Sequence, residues 1–324
     1  MYGHSLPAAT AITATVCAAT IDAPSIDRDP CPMSKHRYLQ LDVFGGQDGH
    51  GNPLGVVLNA QTLSSEQMQQ MAAWLNLSET IFFLPVSAPD ADYHIRIFTP
   101  RAELPFAGHP SVGAAWAAAT HGLVAFKPDG RMRQQCAAGV LPVEVIDRHG
   151  ALLVRLRAPR AQAVETGDAH VAALHEACAG LRMAERPAAL WNNGPGWWLL
   201  ELADAQAVRQ ALPDLAAISR LTQASAATGL AIYAPQAGSD ADLVVRAFCP
   251  ADGIPEDPVT GSANACIAAR LHGEGRVPGQ ASRYVASQGR EVGRDGRVHV
   301  EVDHEGEVWI GGTTRQVIEG RIDW

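Results

Sequence analysis

Residues 98–110 read Phe98-Thr-Pro-Arg-Ala-Glu-Leu-Pro-Phe-Ala-Gly-His-Pro110, and residues 248–262 read Phe248-Cys-Pro-Ala-Asp-Gly-Ile-Pro-Glu-Asp-Pro-Val-Thr-Gly-Ser262. The two stretches match at a constant separation of 150 positions, and the matched pairs are Phe98 with Phe248, Pro100 with Pro250, Pro105 with Pro255 and, upstream, Pro85 with Pro235. Beyond the last matched proline, the second stretch is three residues longer. This correspondence predicts that the chain repeats one structural unit.

The flanking segments support the repeat. A strand pattern precedes each stretch, at residues 93–98 and 243–248, and an alanine-rich helix pattern follows each, at residues 110–120 and 263–271. We therefore interpret the chain as two homologous lobes. A solenoid is excluded, because the separation of 150 residues is far longer than a solenoid repeat. The first lobe also contains a helix with a capping box at Ser64 and Gln67. In the second lobe, residues 204–212 form a short helix pattern that Pro213 ends.

Each lobe brings a glycine to a helix N-terminus, in Gly108-His109-Pro110 and in Gly261-Ser262-Ala263. The first N–H groups of a helix have no partner inside it, and the helix dipole favours negative charge there. If the lobes face each other, two such ends can hold a carboxylate or stabilise an enolate-like intermediate. The alternative is two ordinary strand-to-helix turns, with Pro110 at the first helical position and Ser262 as an N-cap. The symmetric pair favours the functional interpretation.

Three polar residues are candidates for chemistry near these helix ends. Glu79 lies where a helix ends and an apolar strand begins, and partial desolvation there would raise its pKa toward that of a working acid or base. The alternative is a solvated glutamate at the helix–strand junction, which this residue taken alone favours. Asp257 lies before Pro258 and is equally compatible with a turn, while His109 is compatible with a cap or a core position. Other charged residues are interpreted as surface or ion-pair groups, namely Arg96, Arg101 and Glu103.

Composition restricts the class of protein. The 324 residues carry a formal net charge of -9 without a basic stripe, which argues against nucleic acid or an anionic membrane surface as a partner. Six cysteines without a CxxC pair favour reduced thiols in a cytoplasmic protein, with neither a disulfide framework nor a zinc site. No apolar run reaches the roughly eighteen residues of a membrane helix.

Domain bounds and nucleotide motifs can also be judged from the sequence. We expect a disordered leader over 1–32, a first lobe over 33–152 whose last strand is completed by 314–324, and a second lobe over 153–313. The glycine-rich residues 46–51 lead into a strand rather than a helix, so they do not favour dinucleotide binding. Phosphate-loop and nucleophile-elbow motifs are absent from the sequence.

Several phrases resemble the PhzF-like family, in that family's order and over about residues 36–320. They are Asp42-Val-Phe, Gly51-Asn-Pro53, Ser78-Glu-Thr80, the stretch from Ile97 to Pro110, Glu256-Asp-Pro-Val-Thr-Gly-Ser262, and Gln288-Gly289 through Gly293-Arg294. The resemblance implies an α+β, diaminopimelate epimerase-like fold. Two pseudo-symmetric lobes would each wrap a mostly antiparallel sheet around a central helix, with the active site in the cleft between them.

The resemblance also implies an activity. It suggests a cofactor-free isomerase, a homodimer without a metal, that moves a proton on a small carboxylate such as 2,3-dihydro-3-hydroxyanthranilate. By similarity, Glu79 is the general acid/base, and the substrate-binding residues are His109, Asp257, Gly108, Gly261 and Ser262. Related amino-acid epimerases use paired cysteines at these helix starts, which this chain lacks. The glycine-rich segment 45–51 departs from the family pattern and would alter substrate choice if it lined the cleft.

Other functions are compatible with the same fold. A small-molecule binding protein would keep the cleft without chemistry, and a structural or interaction protein would need neither Glu79 nor Asp257. The presence of Glu79 in the Ser-Glu-Thr setting favours the enzyme.

Overall fold

The computed structural model of the protein describes residues 35–125, 127–148, 150–237 and 240–324. The described residues all belong to one compact unit, and the predicted leader 1–32 lies outside them. No helix within the described ranges is long and apolar enough to cross a membrane.

Seventeen strands and six α-helices make up the described chain. The strands are β1 (Lys35–Val43), β2 (Asn52–Leu58), β3 (Glu79–Leu84), β4 (Tyr93–Phe98), β5 (Glu103–Leu104), β6 (Arg131–Cys136), β7 (Gly139–Arg148), β8 (Ala151–Arg157), β9 (Gln162–Val164), β10 (Ala189–Asn192), β11 (Gly196–Glu201), β12 (Gly229–Pro235), β13 (Leu243–Cys249), β14 (Ile254–Asp257), β15 (Arg283–Gln288), β16 (Gly296–Val302) and β17 (Val308–Asp323). The helices are α1 (Ser65–Leu75), α2 (Gly108–Thr120), α3 (Val171–Ala177), α4 (Ala205–Arg209), α5 (Leu215–Ser225) and α6 (Gly261–Gly273).

Strand pairing confirms the predicted repeat. In the first lobe, β1 to β8, the β2–β3 and β4–β6 pairs are parallel, and the β1–β2, β3–β4, β4–β5, β6–β7 and β7–β8 pairs are antiparallel. In the second lobe, β9 to β17, the corresponding pairs β11–β12 and β13–β15 are parallel, and β10–β11, β12–β13, β13–β14, β15–β16 and β16–β17 are antiparallel. The mostly antiparallel, pseudo-symmetric α+β fold is therefore confirmed.

The long strand β17 connects the lobes. Its first residues pair with β16 and β8, while 314–323 pair with β1 of the first lobe. The predicted lobe bounds, 33–152 and 153–313, stay a prediction.

One helix of the repeat was missed in the sequence. The predicted helix over 204–212 is the short α4, and the counterpart of α1 is α5, which begins 150 residues after α1. Pro213 ends the first pattern, but Asp214 then caps α5 by accepting hydrogen bonds from the N–H groups of Ala216 and Ala217. Pro213 was interpreted only as the end of a helix, although the next residue, Asp214, is the N-cap of α5.

The core of each lobe surrounds one alanine-rich helix. Helices α2 and α6 are both 13 residues long and bury most of their residues, and small side chains let the sheet strands approach on several sides. On the outer surface of the sheets, α1 packs with Val57, Phe82 and Phe98, and α5 packs in a separate cluster of the second lobe. The central helices are thus held on all sides, which fixes their N-terminal ends.

The two central helices meet at their first residues, Gly108 and Gly261. A Cβ atom added to Gly108 would lie 3.2 Å from the Gly261 Cα atom, and one added to Gly261 would lie 2.8 Å from Ile310 Cδ1. Only glycine allows this approach of one backbone to another.

We predict that Gly261→Ala lowers the free energy of unfolding by about 1–3 kcal/mol, because the added methyl group would overpack the Ile310 side chain and the Gly108 backbone. The control is Gly273→Ala in the same helix. An added Cβ there would have no described atom within 4 Å apart from its chain neighbours and the backbone of its own helix. That variant should keep or raise stability by up to about 1 kcal/mol. Urea unfolding of both variants measures the difference, and equal effects would contradict a tight junction.

Candidate active site

A cavity of about 1330 Å³ lies between the lobes and takes lining residues from both. All six residues predicted for the site line it: Glu79, Gly108, His109, Asp257, Gly261 and Ser262. They come from the start of β3, the end of β14, and the N-termini of α2 and α6. Their roles remain predictions, but the fold brings them to one space.

The N-termini of α2 and α6 both open on this cavity. Among the described hydrogen bonds, neither Ala107 nor Thr260 caps its helix with a side chain. Ser262 is not an N-cap, because it lies inside α6, where its Oγ accepts a hydrogen bond of 3.1 Å from Trp197 Nε1. First-turn N–H groups and two dipoles therefore face one space, an arrangement suited to an anion.

Glu79 is the first residue of β3, after α1 ends in a left-handed Asn76. Its side chain is 16% exposed, and its Oε2 atom is buried without a hydrogen-bond partner among the described residues. Burial, reinforced by the nearby charge of Asp257, raises the pKa of Glu79 to about 8. The carboxyl group can therefore hold a proton at neutral pH.

His109 lies beside this carboxyl group, with Nδ1 3.4 Å from Glu79 Oε2. Burial lowers the pKa of His109 to about 3, against the opposing effect of the Pro53 carbonyl. The imidazole is thus neutral, and it supplies no positive charge that would hold Glu79 ionised.

Asp257 has a different environment from Glu79. Its Oδ1 accepts a hydrogen bond of 3.0 Å from Asn52 Nδ2, and its Oδ2 accepts one from the Thr260 hydroxyl group. Burial raises the pKa of Asp257 to about 6, while those two donors oppose the rise. Asp257 is therefore mostly ionised at neutral pH, when Glu79 is mostly protonated. Two carboxyl groups with separated pKa values are typical of acid–base sites.

A hydrogen-bond network fixes Asp257 from both lobes. Asn52 also donates to the Val259 carbonyl and accepts from the Ser78 hydroxyl group. Gln288 donates to the Asp257 carbonyl and to the Thr260 hydroxyl group, at 3.0 and 2.9 Å. The carboxylate is therefore rigidly placed beside the α6 N-terminus.

Comparison with known proteins shows the family. The family model described as "Phenazine biosynthesis-like protein", PhzC-PhzF, matches residues 41–320. The chain belongs to the PhzC-PhzF family.

Individual relatives agree with this membership. The chain is 33% identical to the trans-2,3-dihydro-3-hydroxyanthranilate isomerase of Pseudomonas aeruginosa over 88% of this chain and 99% of that protein. It is 29% identical to antisense-enhancing sequence 1 of Schizosaccharomyces pombe, over 89% of this chain and 99% of that protein. A Pseudomonas aeruginosa structure named a predicted epimerase aligns with a TM-score of 0.72 and 28% identity. The alignment covers 89% of this chain and 99% of that one. Several other relatives are also named isomerases, and this PhzF-family chain is an isomerase.

Sequence reasoning missed several residues around the PhzF-family cavity. Asn52, Ser78 and Gln288 belong to quoted motifs, but their contacts with Asp257 or with each other depend on the fold. Arg96 forms the expected ion pair with Glu103, whereas Arg101 lines the cavity.

Other expectations about this site have mixed outcomes. The glycine-rich segment 45–51 is not part of the cavity lining, because Asp42 and the second lobe hold it elsewhere. Cys266 does not take the place of a helix-start cysteine, since it is fully buried inside α6.

The raised pKa of Glu79 predicts how its replacement changes stability with pH. Between pH 4.5 and about 8 the folded protein keeps a proton on Glu79 that the unfolded chain releases. This stabilisation is complete below pH 4.5 and lost as pH rises through about 8. Glu79→Gln removes this pH-dependent loss. The free energy of unfolding of the variant, relative to that of the wild type, should therefore increase by about 2–4 kcal/mol from pH 5 to pH 9.

Urea unfolding of both proteins at the two pH values measures this gain. The difference between the proteins matters, because all other titrating groups are shared. A difference that is the same at pH 5 and pH 9 would contradict a buried, proton-holding carboxyl group.

Proposed function

We propose that the protein is a cofactor-independent isomerase that moves a proton between carbon atoms of a small carboxylate substrate. The observation that carries the proposal is the Glu79 carboxyl group, with its pKa of about 8, in a cavity where two uncapped helix N-termini meet. A pKa near the working pH lets one group both take and return a proton.

The reaction follows from these groups. The substrate carboxylate binds at the N–H groups that begin α2 and α6, which places the reacting carbon beside Glu79. The ionised form of Glu79 removes a proton from one carbon, and negative charge spreads over the conjugated carboxylate. The helix ends stabilise that charge, and Glu79 then returns the proton to a second carbon.

Asp257 and His109 orient the substrate in this proposal. The Asp257 carboxylate accepts a hydrogen bond from an amino or hydroxyl group, because its own donors hold it ionised and in place. Neutral His109 hydrogen-bonds the substrate or Glu79 without adding charge.

The proposed substrate is 2,3-dihydro-3-hydroxyanthranilate or an analogue. A relative that is 33% identical over nearly its whole length carries the name of that isomerase. This substrate offers a carboxylate for the helix ends, amino and hydroxyl donors for Asp257, and a conjugated system for the displaced charge. The homodimeric state remains part of the proposal.

We predict that Glu79→Gln abolishes turnover while binding survives. Proton NMR in D₂O with 2,3-dihydro-3-hydroxyanthranilate should show isomerisation or deuterium incorporation by the wild type, and at least about a thousandfold slower reaction by the variant. Glu185→Gln, at an exposed position outside the cavity lining, is the matched control.

Each result of that experiment has a distinct meaning. Turnover by Glu79→Gln near the wild-type rate would remove Glu79 from the mechanism. Tight binding without reaction in either protein would favour a binding protein on the same fold.

The pKa values predict the pH dependence of the reaction. Because both Glu79 and Asp257 act as carboxylates, kcat/KM should rise with pH, with steps near 6 and 8, and level off above about pH 9. Asp257→Asn should lose the lower step and shift the upper one to lower pH, because the Asp257 charge that helps to raise the pKa of Glu79 is gone. Initial rates between pH 5.5 and 9.5 test this, and a rate that falls between pH 7 and pH 9 would show that protonated Glu79 acts first.

A further inference from the structure

Arg101 extends from a tight turn at the rim of the cavity. The Thr99 hydroxyl group accepts hydrogen bonds of 3.1 and 3.0 Å from the N–H groups of Arg101 and Ala102. The Thr99 N–H group also donates to the Ala102 carbonyl, at 2.8 Å. This closed turn joins β4 to β5 and fixes the direction in which the arginine side chain leaves the first lobe.

The Arg101 guanidinium group lies against the second lobe. Its Nη1 donates to the Ala251 carbonyl at 3.2 Å. Gly253 has a φ of 83°, and a Cβ atom added there would lie 2.7 Å from Arg101 Nη2. The side chain therefore crosses the rim of the cavity and rests where the opposite backbone leaves room for it.

The charge of Arg101 has no close carboxylate partner. Arg101 and Arg160 are the two cationic side chains of the lining, and Arg160 is paired with Glu307. Within the described ranges, no carboxylate oxygen lies within 4 Å of Arg101. The Arg101 charge does act on Asp252 from farther away, where it lowers the pKa of that carboxyl group against the larger, raising effect of burial. Arg101 is also exposed. Its remaining donors are thus available to a bound anion.

The size of the cavity gives an independent indication. Sites for drug-sized ligands typically measure about 300–1,000 Å³, and this cavity of about 1330 Å³ exceeds that range. A substrate with a single six-membered ring would fill only the part near Glu79. The remaining space extends to the rim at Arg101, so the cavity has room for a longer molecule.

We propose that Arg101 is a substrate-recognition residue that binds a second carboxylate, distant from the one held by the helix N-termini. This inference rests on the proposed function, because it takes the helix ends as the first carboxylate site. A guanidinium group suits this role, since it presents paired donors to a planar carboxylate. Arg101 would exchange its contact with the Ala251 carbonyl for the distal carboxylate of a substrate longer than one ring.

Two probes of equal length separate charge from size. N-(3-carboxypropyl)anthranilate carries the distal carboxylate, and N-(3-carbamoylpropyl)anthranilate replaces it with a neutral amide. Calorimetric titration of the wild type should show about threefold to tenfold tighter binding of the dicarboxylate, the range expected between an exposed and a partly shielded charge pair. The preference should decrease as salt is added.

Substitutions assign the preference to a residue. Arg101→Gln should bind the two probes equally, and Arg101→Lys should keep part of the preference. The matched control is Arg131→Gln, whose side chain is 74% exposed and which does not line this cavity, and it should behave as the wild type.

The outcomes that contradict the inference are distinct from failure of the proposed function. Equal binding of the two probes by the wild type overturns the inference, as does a preference that survives in Arg101→Gln. A preference lost in Arg160→Gln alone would assign the carboxylate to Arg160. If anthranilate itself does not bind, the carboxylate site at the helix ends fails, and both proposals fail together.

Discussion

The contact between Gly108 and Gly261 determines how the rest of the site is arranged. Two helix N-termini approach until a single added Cβ would lie 3.2 Å from the opposite backbone. Their dipole ends are both positive, so this proximity is unfavourable unless packing enforces it and negative charge offsets it. Packing of α2 and α6 inside their sheets provides the first condition. The ionised Asp257 contributes to the second, and in the proposed function a substrate carboxylate would add to it.

Both lobes bring a helix N-terminus to the cavity, but only the first lobe has a carboxyl group at the position of Glu79. At the position equivalent to Glu79, 150 residues along, the second lobe has Gly229, the first residue of β12. A Cβ atom there would lie 2.4 Å from the Phe248 carbonyl oxygen and 2.5 Å from the Trp197 ring, so no side chain fits. Asp257 instead belongs to the second lobe's longer segment before α6. In the proposed function, one acid facing two helix N-termini would suit a proton that leaves and returns on the same group, rather than exchange between two bases.

The sequence predicted the features that depend on local patterns. Repeated prolines revealed the lobes, and glycines marked the helix ends. The apolar strand after Glu79 was compatible with a desolvated carboxyl group but, taken alone, favoured a solvated one. Contacts between distant segments were beyond reach, since Asn52 and Asp257 are 205 positions apart and their pairing depends on how the lobes face each other. Arg101 was interpreted as a surface or ion-pair residue, and only the fold places it against the Ala251 carbonyl of the second lobe. Helix α5 was missed for a local reason, since Pro213 was taken only as the end of α4.

The difference between the two carboxyl groups follows from the number of donors around each. Both are largely removed from water, and desolvation is the main cause of the raised pKa in both. Asp257 receives hydrogen bonds from Asn52 and Thr260, whereas Glu79 Oε2 faces a neutral imidazole and has no donor among the described residues. A charged His109 would ionise Glu79 permanently and make it a weaker base. The burial that keeps His109 neutral is therefore also what keeps Glu79 able to exchange a proton near neutral pH.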